Sequence, residues 1–196
     1  RTSWTTTDIA GFDVLGASTW ASADQIACNA AGECLAAGTY DDLHGIRQVF
    51  ISRSHNGVWT AAEPIPALIT LNTGDEEGGF ASVVDMDCDG VDTCVVVGQY
   101  VSGYTDDEPL RADGADLSFV LVISTDPTSP FYSVDDANFF TAETLATTGL
   151  EVPNDSEPVA VDCTLGAGTC VVIGMVTMLT PEVEGFQDQS TFAVTM

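Results

Sequence analysis

The chain has 196 residues, 45% hydrophobic and only 17% charged, which excludes a disordered polyelectrolyte and leaves enough apolar mass for a sizeable core. Thirty acidic residues face four arginines (Arg1, Arg47, Arg53, Arg111) and no lysine, a formal net charge of −26 that repels phosphate and argues against nucleic acid and anionic membranes as partners. No apolar run reaches the roughly twenty residues of a membrane helix, and "RTSWTTTDIAGF" lacks the regions of a signal peptide, so an exported form is expected to begin after processing.

In chain order, the first predicted element is a strand over residues 2–8, "TSWTTTD". A first repeat, about 21–65, follows with "ASADQIAC" (Ala21 to Cys28), "CLAAGTY" (Cys34 to Tyr40), "RQVFIS" (Arg47 to Ser52), a turn "RSHNG" and "VWTAA" (Val58 to Ala62). The second, about 80–135, has "ASVVDMDC" (Ala81 to Cys88), "CVVVGQY" (Cys94 to Tyr100), an acidic loop, "SFVLVIS" (Ser118 to Ser124) and "FYSV" (Phe131 to Val134). The third, about 157–196, has "EPVAVDC" (Glu157 to Cys163), "CVVIGMV" (Cys170 to Val176) and "STFAVTM" (Ser190 to Met196), one element short of the other two. Only "DDANFFTAETLATTGL" (Asp135 to Leu150) is expected to hold a turn of helix.

These segments are rich in Val, Ile, Thr, Phe and Tyr, and Gly, Pro, Asn and Asp separate them, which is strand and turn chemistry. "CVVV" and "FVLVI" are apolar on consecutive residues, the pattern of strands covered on both faces. The predicted fold is therefore all-β: one β-propeller-like domain over 1–196, made of three four-stranded blades. An antiparallel β-sandwich is the alternative. The last blade takes its outer strand from the N-terminal segment, because "TSWTTTD" aligns with "GVWTAAE" (Gly57 to Glu63).

Each cysteine pair (Cys28 and Cys34, Cys88 and Cys94, Cys163 and Cys170) ends one predicted strand and starts the next, so each can close a hairpin tip. Repetition selects local pairing, because one solution must serve all three copies. Bridges over such short loops contribute about 2 kcal/mol each and place the protein outside a reducing cytosol. Only two histidines, His44 and His55, are present and neither is near a cysteine pair in sequence, so structural zinc is disfavoured.

The spacing C-x5-C-x3-G-x-Y, an apolar strand and then "SRSHNGVWT" (Ser52 to Thr60) resembles the secreted bacterial β-propeller repeats related to Asp-box and sialidase-like propellers. "SHNGVW" keeps Ser54, Gly57 and Trp59 of that box but has Asn56 at the Asp position; "STDPTSPF" keeps Ser124 and Asp126 without the glycine. The resemblance implies a propeller fold and no particular activity. The three-arginine cluster of sialidases is not expected, since Arg1 is terminal, Arg53 lies in a predicted turn, and Arg47 and Arg111 flank acidic loops.

"DMDCDGVD" (Asp85 to Asp92) matches the front of a calcium loop, making Asp85, Asp87, Asp89 and Asp92 a candidate Ca2+ site, although Val96 stands where the bidentate Glu belongs. Trp20 is a candidate sugar-stacking residue, whereas Trp4 and Trp59 read as packing residues of outer strands. The expected function is a secreted, non-catalytic structural or adhesive protein, a homo-oligomer or homopolymer. It would exchange strands through Ser3, Trp4 and Thr5 at one end and Phe192 and Val194 at the other. An extracellular filament or surface-layer subunit fits that description. A glycan-binding propeller and a glycoside hydrolase or polysaccharide lyase are the alternatives.

Overall fold

A computed structural model describes residues 8–16, 20–72, 79–101, 116–126, 132–136, 153–166, 168–179 and 187–195. The protein is all-β, with three antiparallel sheets and one short helix among those residues. The first sheet holds β1 (Ala21–Cys28), β2 (Cys34–Asp41), β3 (Arg47–His55) and β4 (Val58–Trp59), with β5 (Glu63–Pro64) also paired to β3. The middle sheet runs β6 (Ala81–Cys88), β7 (Thr93–Val101), β8 (Asp116–Ser124) and β9 (Tyr132–Asp136). The third has β10 (Pro153–Thr164), β11 (Thr169–Leu179) and β12 (Gln187–Thr195).

Strands β1 and β6 coincide with their predicted spans; the others differ mainly at their ends. Three expectations need correction. Within "VWTAA" only Val58–Trp59 is strand, β4 opposite Ser54 and His55, and a second short strand just beyond it, β5, lies opposite Phe50 and Ile51 of the same partner, so the first sheet has five strands instead of four. Arg53 lies inside β3, buried, and not in a turn; the turn is Asn56-Gly57, both at positive φ (51° and 78°), the two-residue hairpin loop that matches strand twist. Helix α1 (Pro66–Leu71) was not foreseen; six residues are too few for a periodic signal, and it is held by the proline at its start and by burial of Leu68. Residues 2–7 of the predicted strand at 2–8, with Ser3, Trp4 and Thr5, and nearly all of the 135–150 segment lie outside the described residues.

Each sheet has a front face, bearing its cystine and the glycine of C-x3-G, and a back face. The back of the first sheet (Leu35, Ala37, Val49, Ile51) packs on the front of the middle sheet (Cys94, Val96, Leu117, Phe119, Leu121, Ile123). The back of the middle sheet (Val95, Val97, Val120, Val122) packs on the front of the third (Val161, Cys163, Cys170, Val172). The middle sheet is thus covered on both sides, which is why β7 and β8 are apolar at successive positions.

The repeated glycine answers to a repeated irregularity. A β-bulge interrupts the first strand of every sheet, between Ala23 and Gln25, Val83 and Asp85, and Pro158 and Ala160, beside Gly38, Gly98 and Gly174 respectively. On the other side of the ladder each glycine faces a phenylalanine: Phe50, Phe119 and Phe192. A Cβ at Gly38 would meet Ala23 Cα at 2.8 Å and the Phe50 ring at 2.9 Å, and one at Gly98 would overlap the Ser82 carbonyl oxygen and the Phe119 ring. At Gly38 and Gly98 the glycine is the space into which bulge and ring fit.

Candidate functional site

Three disulfides, Cys28–Cys34, Cys88–Cys94 and Cys163–Cys170, join residues directly opposite each other at the hairpin tips, with Cα–Cα distances of 4.0 Å. They fit an oxidising environment. In the first two tips the residue after the first cysteine shapes the turn. Asn29 Oδ1 accepts from the Ala31 and Glu33 N–H groups (both 3.0 Å), and Asp89 Oδ1 accepts from Val91 (2.8 Å) and Thr93 (3.2 Å). Tips are then linked along the stack: Ala30 N–H donates to Gly90 O (3.1 Å), Asn29 Nδ2 to Val91 O (2.7 Å), and Gly166 N–H to Asp89 O (2.6 Å).

The four aspartates singled out in sequence do not converge. Alternate residues of a strand share a face, so Asp85 and Asp87 project together from the back of β6 toward β10. Asp85 Oδ2 accepts from Val161 N–H (3.0 Å) and Asp87 Oδ2 from Cys163 N–H (2.7 Å), so the pair latches the third sheet to the middle one. Gln25, the counterpart of Asp85 in the first repeat, donates to Val84 O at 3.0 Å across the preceding seam. Asp89 shapes its tip, and Asp92 Oδ1 accepts from Thr93 Oγ1 at 3.2 Å. Among the described residues no group of three or more His, Cys, Asp or Glu side chains is placed to hold a metal ion.

Arg53 is a second seam device. Its Nε donates to Ser124 O in the middle sheet (3.0 Å) and its Nη1 pairs with Glu63 Oε2 (2.8 Å). A guanidinium this deeply buried needs such partners. Trp20 is 41% exposed, and the Arg47 guanidinium lies 4.3 Å from its ring centroid and 5.6 Å from that of Phe80. Arg47 Nε also pairs with Asp41 at 3.0 Å. The structure therefore gives Trp20 a packing partner and leaves part of its surface open. Trp59 is partly buried and lines a cavity of about 320 Å³ on the front of the first sheet, with Ile9, Ala23, Asp24, Gln25, Ile26 and Ala36. His55 Nδ1 lies 2.6 Å from Glu33 Oε1, while His44 is on an exposed loop.

The rest of that front face is closed by Ile9, Phe12 and Leu15 against Tyr40, Phe50 and Ala62, with Phe12 edge-on to Phe50 at 4.9 Å. Burial, and to a lesser extent the Asp42 carboxylate, raises the Tyr40 phenol above its ordinary value of 10.0. Stability from keeping this phenol neutral is complete below the unfolded value and is lost as pH climbs through the raised folded one. Unfolding followed by circular dichroism is thus expected to set in above pH ~10. Tyr40→Phe should move that onset to higher pH; an unchanged onset would mean that Tyr40 is not responsible.

Phe192 and Val194 occupy β12, opposite Gly174 and Val172. Among the described residues β12 has a partner on one side only, whereas β3 and β8, at the same place in their repeats, carry β4 with β5 and β9 on that side. This edge was legible as the short third repeat. The seam devices were not: Asn29, Gln25 and Arg53 carry no motif, and only their spacing from the cysteines relates them to their counterparts. No known protein family matches the chain, and no curated protein matches its sequence significantly. No helix among the described residues is long and apolar enough to cross a membrane.

Proposed function

We propose that this chain is a secreted, non-catalytic structural or adhesive protein, built from β-propeller-like blades, that assembles with copies of itself by adding a strand to the edge of β12. One observation carries the reading: β12 is laddered to β11 over nine residue pairs, and its other edge has no strand among the described residues. An edge of that length without lysine is a template for another strand. The segment "TSWTTTD" of a neighbouring copy has the composition of the strand that fills this slot in the first repeat, with Trp4 matching Trp59. Donation from copy to copy gives a filament when it does not close, or a ring when it does. The engagement of Asp85, Asp87, Asp89 and Arg53 in holding the frame supports a structural role over a catalytic one.

Deleting residues 1–7, or replacing Trp4→Asp, is expected to leave a folded, soluble protein that assembles far more weakly by sedimentation and electron microscopy. Excess peptide spanning residues 1–10 should cap β12 and dissolve assemblies of the intact chain. If truncated and intact chains sediment alike at every concentration, strand donation is wrong.

A further inference from the structure

The third sheet presents a face that the other two sheets bury. Val171, Ile173 and Met175 on the back of β11 are 38%, 45% and 36% exposed, and Val159 on β10 is 48% exposed. Thr191, Ala193 and Thr195 of β12 are exposed beside them. Val171 and Ile173 stand at the positions, counted from the second cysteine of each pair, that Leu35 and Ala37 hold in the first sheet and Val95 and Val97 in the middle one. All four of those are buried against the front of the next sheet. Asp162, directly before Cys163, is the counterpart of Asp87; Asp87 accepts the Cys163 N–H across the seam, while Asp162 is exposed.

At the other end of the stack, the front of the first sheet is only partly covered. Ile26, the counterpart of buried Val161, is 61% exposed and lines the cavity of about 320 Å³ together with Ile9, Ala36 and Trp59. Ala36 and Cys34 correspond to Val172 and Cys170, on which the back of the middle sheet already sits.

We infer that the back of the third sheet, centred on Val171, Ile173 and Met175, docks on the open front of the first sheet of a second copy. This repeats between chains the back-to-front contact made twice within the chain. The inference rests on the self-assembly reading above and names a different contact: sheet face on sheet face, where strand donation uses an edge. In the docked pair Ile173 and Val171 enter the cavity beside Ile26 and Trp59, and Asp162 takes the Cys28 N–H of the neighbour as Asp87 takes that of Cys163. One copy has one back and one front to offer, so the contact is heterologous and propagates head to tail. Glu157 and Asp162 on one surface and Asp24 on the other add like charge, so association should strengthen with salt.

The test uses two full-length variants, Ile173→Glu on the back and Ile26→Glu on the front, both at exposed positions where the fold tolerates the change. Circular dichroism checks folding; Val171→Glu is the substitute for the back and Ala23→Glu, at an exposed position of the same cavity lining, for the front. In sedimentation at about molar salt each variant alone should associate about tenfold more weakly than the parent, because a carboxylate would be desolvated at the contact. Mixed in equal amounts, the variants should associate more strongly than either does alone, each supplying the intact surface that the other lacks. The inference is overturned if the single variants associate like the parent, or if the mixture associates no more strongly than either variant alone. Assembly that survives Ile173→Glu and Ile26→Glu but is lost on deleting residues 1–7 would leave strand donation standing and remove the face contact. A parent chain that never associates would remove both.

Discussion

Gly98→Ala is expected to lower the melting temperature by roughly 10 °C, since a loss of about 3 kcal/mol shifts a chain of this size by about 2–4 °C per kcal/mol. The added methyl would overlap the Ser82 carbonyl oxygen at the bulge and the Phe119 ring at once, so neither neighbour can yield without disturbing the middle sheet, which is packed on both faces. Such a loss is a large share of a typical stability of about 5–15 kcal/mol. Gly57→Ala is the contrast. Gly57 has φ of +78° and open space around its Cβ position, so its cost is backbone strain alone, about 1 kcal/mol. Equal effects from the two substitutions, read by thermal denaturation, would show that the bulge and ring do not need the glycine.

The double replacement Asp85→Ala with Asp87→Ala is expected to loosen the third sheet selectively. Each carboxylate accepts a backbone N–H of β10, and hydrogen bonds to charged groups contribute about 1.5–3 kcal/mol each. Because the two act on the same strand, their losses are not expected to add fully. Hydrogen exchange gives the local reading: the Val161 and Cys163 amides should lose protection while those of β2 and β7 keep theirs. Asp85→Asn with Asp87→Asn keeps an acceptor oxygen at each place and should restore most of the protection. Unchanged protection in the alanine variant would show that the latch does not hold the seam.

Much of the frame was readable from local pattern. The cysteines mark strand ends and starts, and the apolar run after the second cysteine marks a strand buried on both faces in the first and middle sheets, because both signals depend on neighbours in the chain; the same run after Cys170 is exposed on its back face. The aspartates show what local reading leaves out. "DMDCDGVD" has the alternation of a calcium loop, but in a strand the same alternation sends Asp85 and Asp87 to one face and leaves Asp89 at the turn. The hydrogen bonds of Asp85 and Asp87 to β10 depend on Cys88 closing a hairpin and on a partner strand about 76 residues away, which no local motif contains. Likewise, the fit of Phe119 over Gly98 and the reach of Arg53 to Ser124 depend on register and stacking between distant segments. Its place before "SHNG" suggests a turn for Arg53; its burial comes from the seam that β3 forms with the middle sheet.

The central claim is that this chain is a unit of an assembly, and sedimentation of the intact protein over a wide concentration range tests it most directly. The run belongs at about molar salt, where the screening length of about 3 Å suppresses repulsion between chains of net charge −26. The expected result is a mean mass that climbs with concentration well beyond the 20.5 kDa of one chain. A single species of 20.5 kDa at every concentration would contradict it.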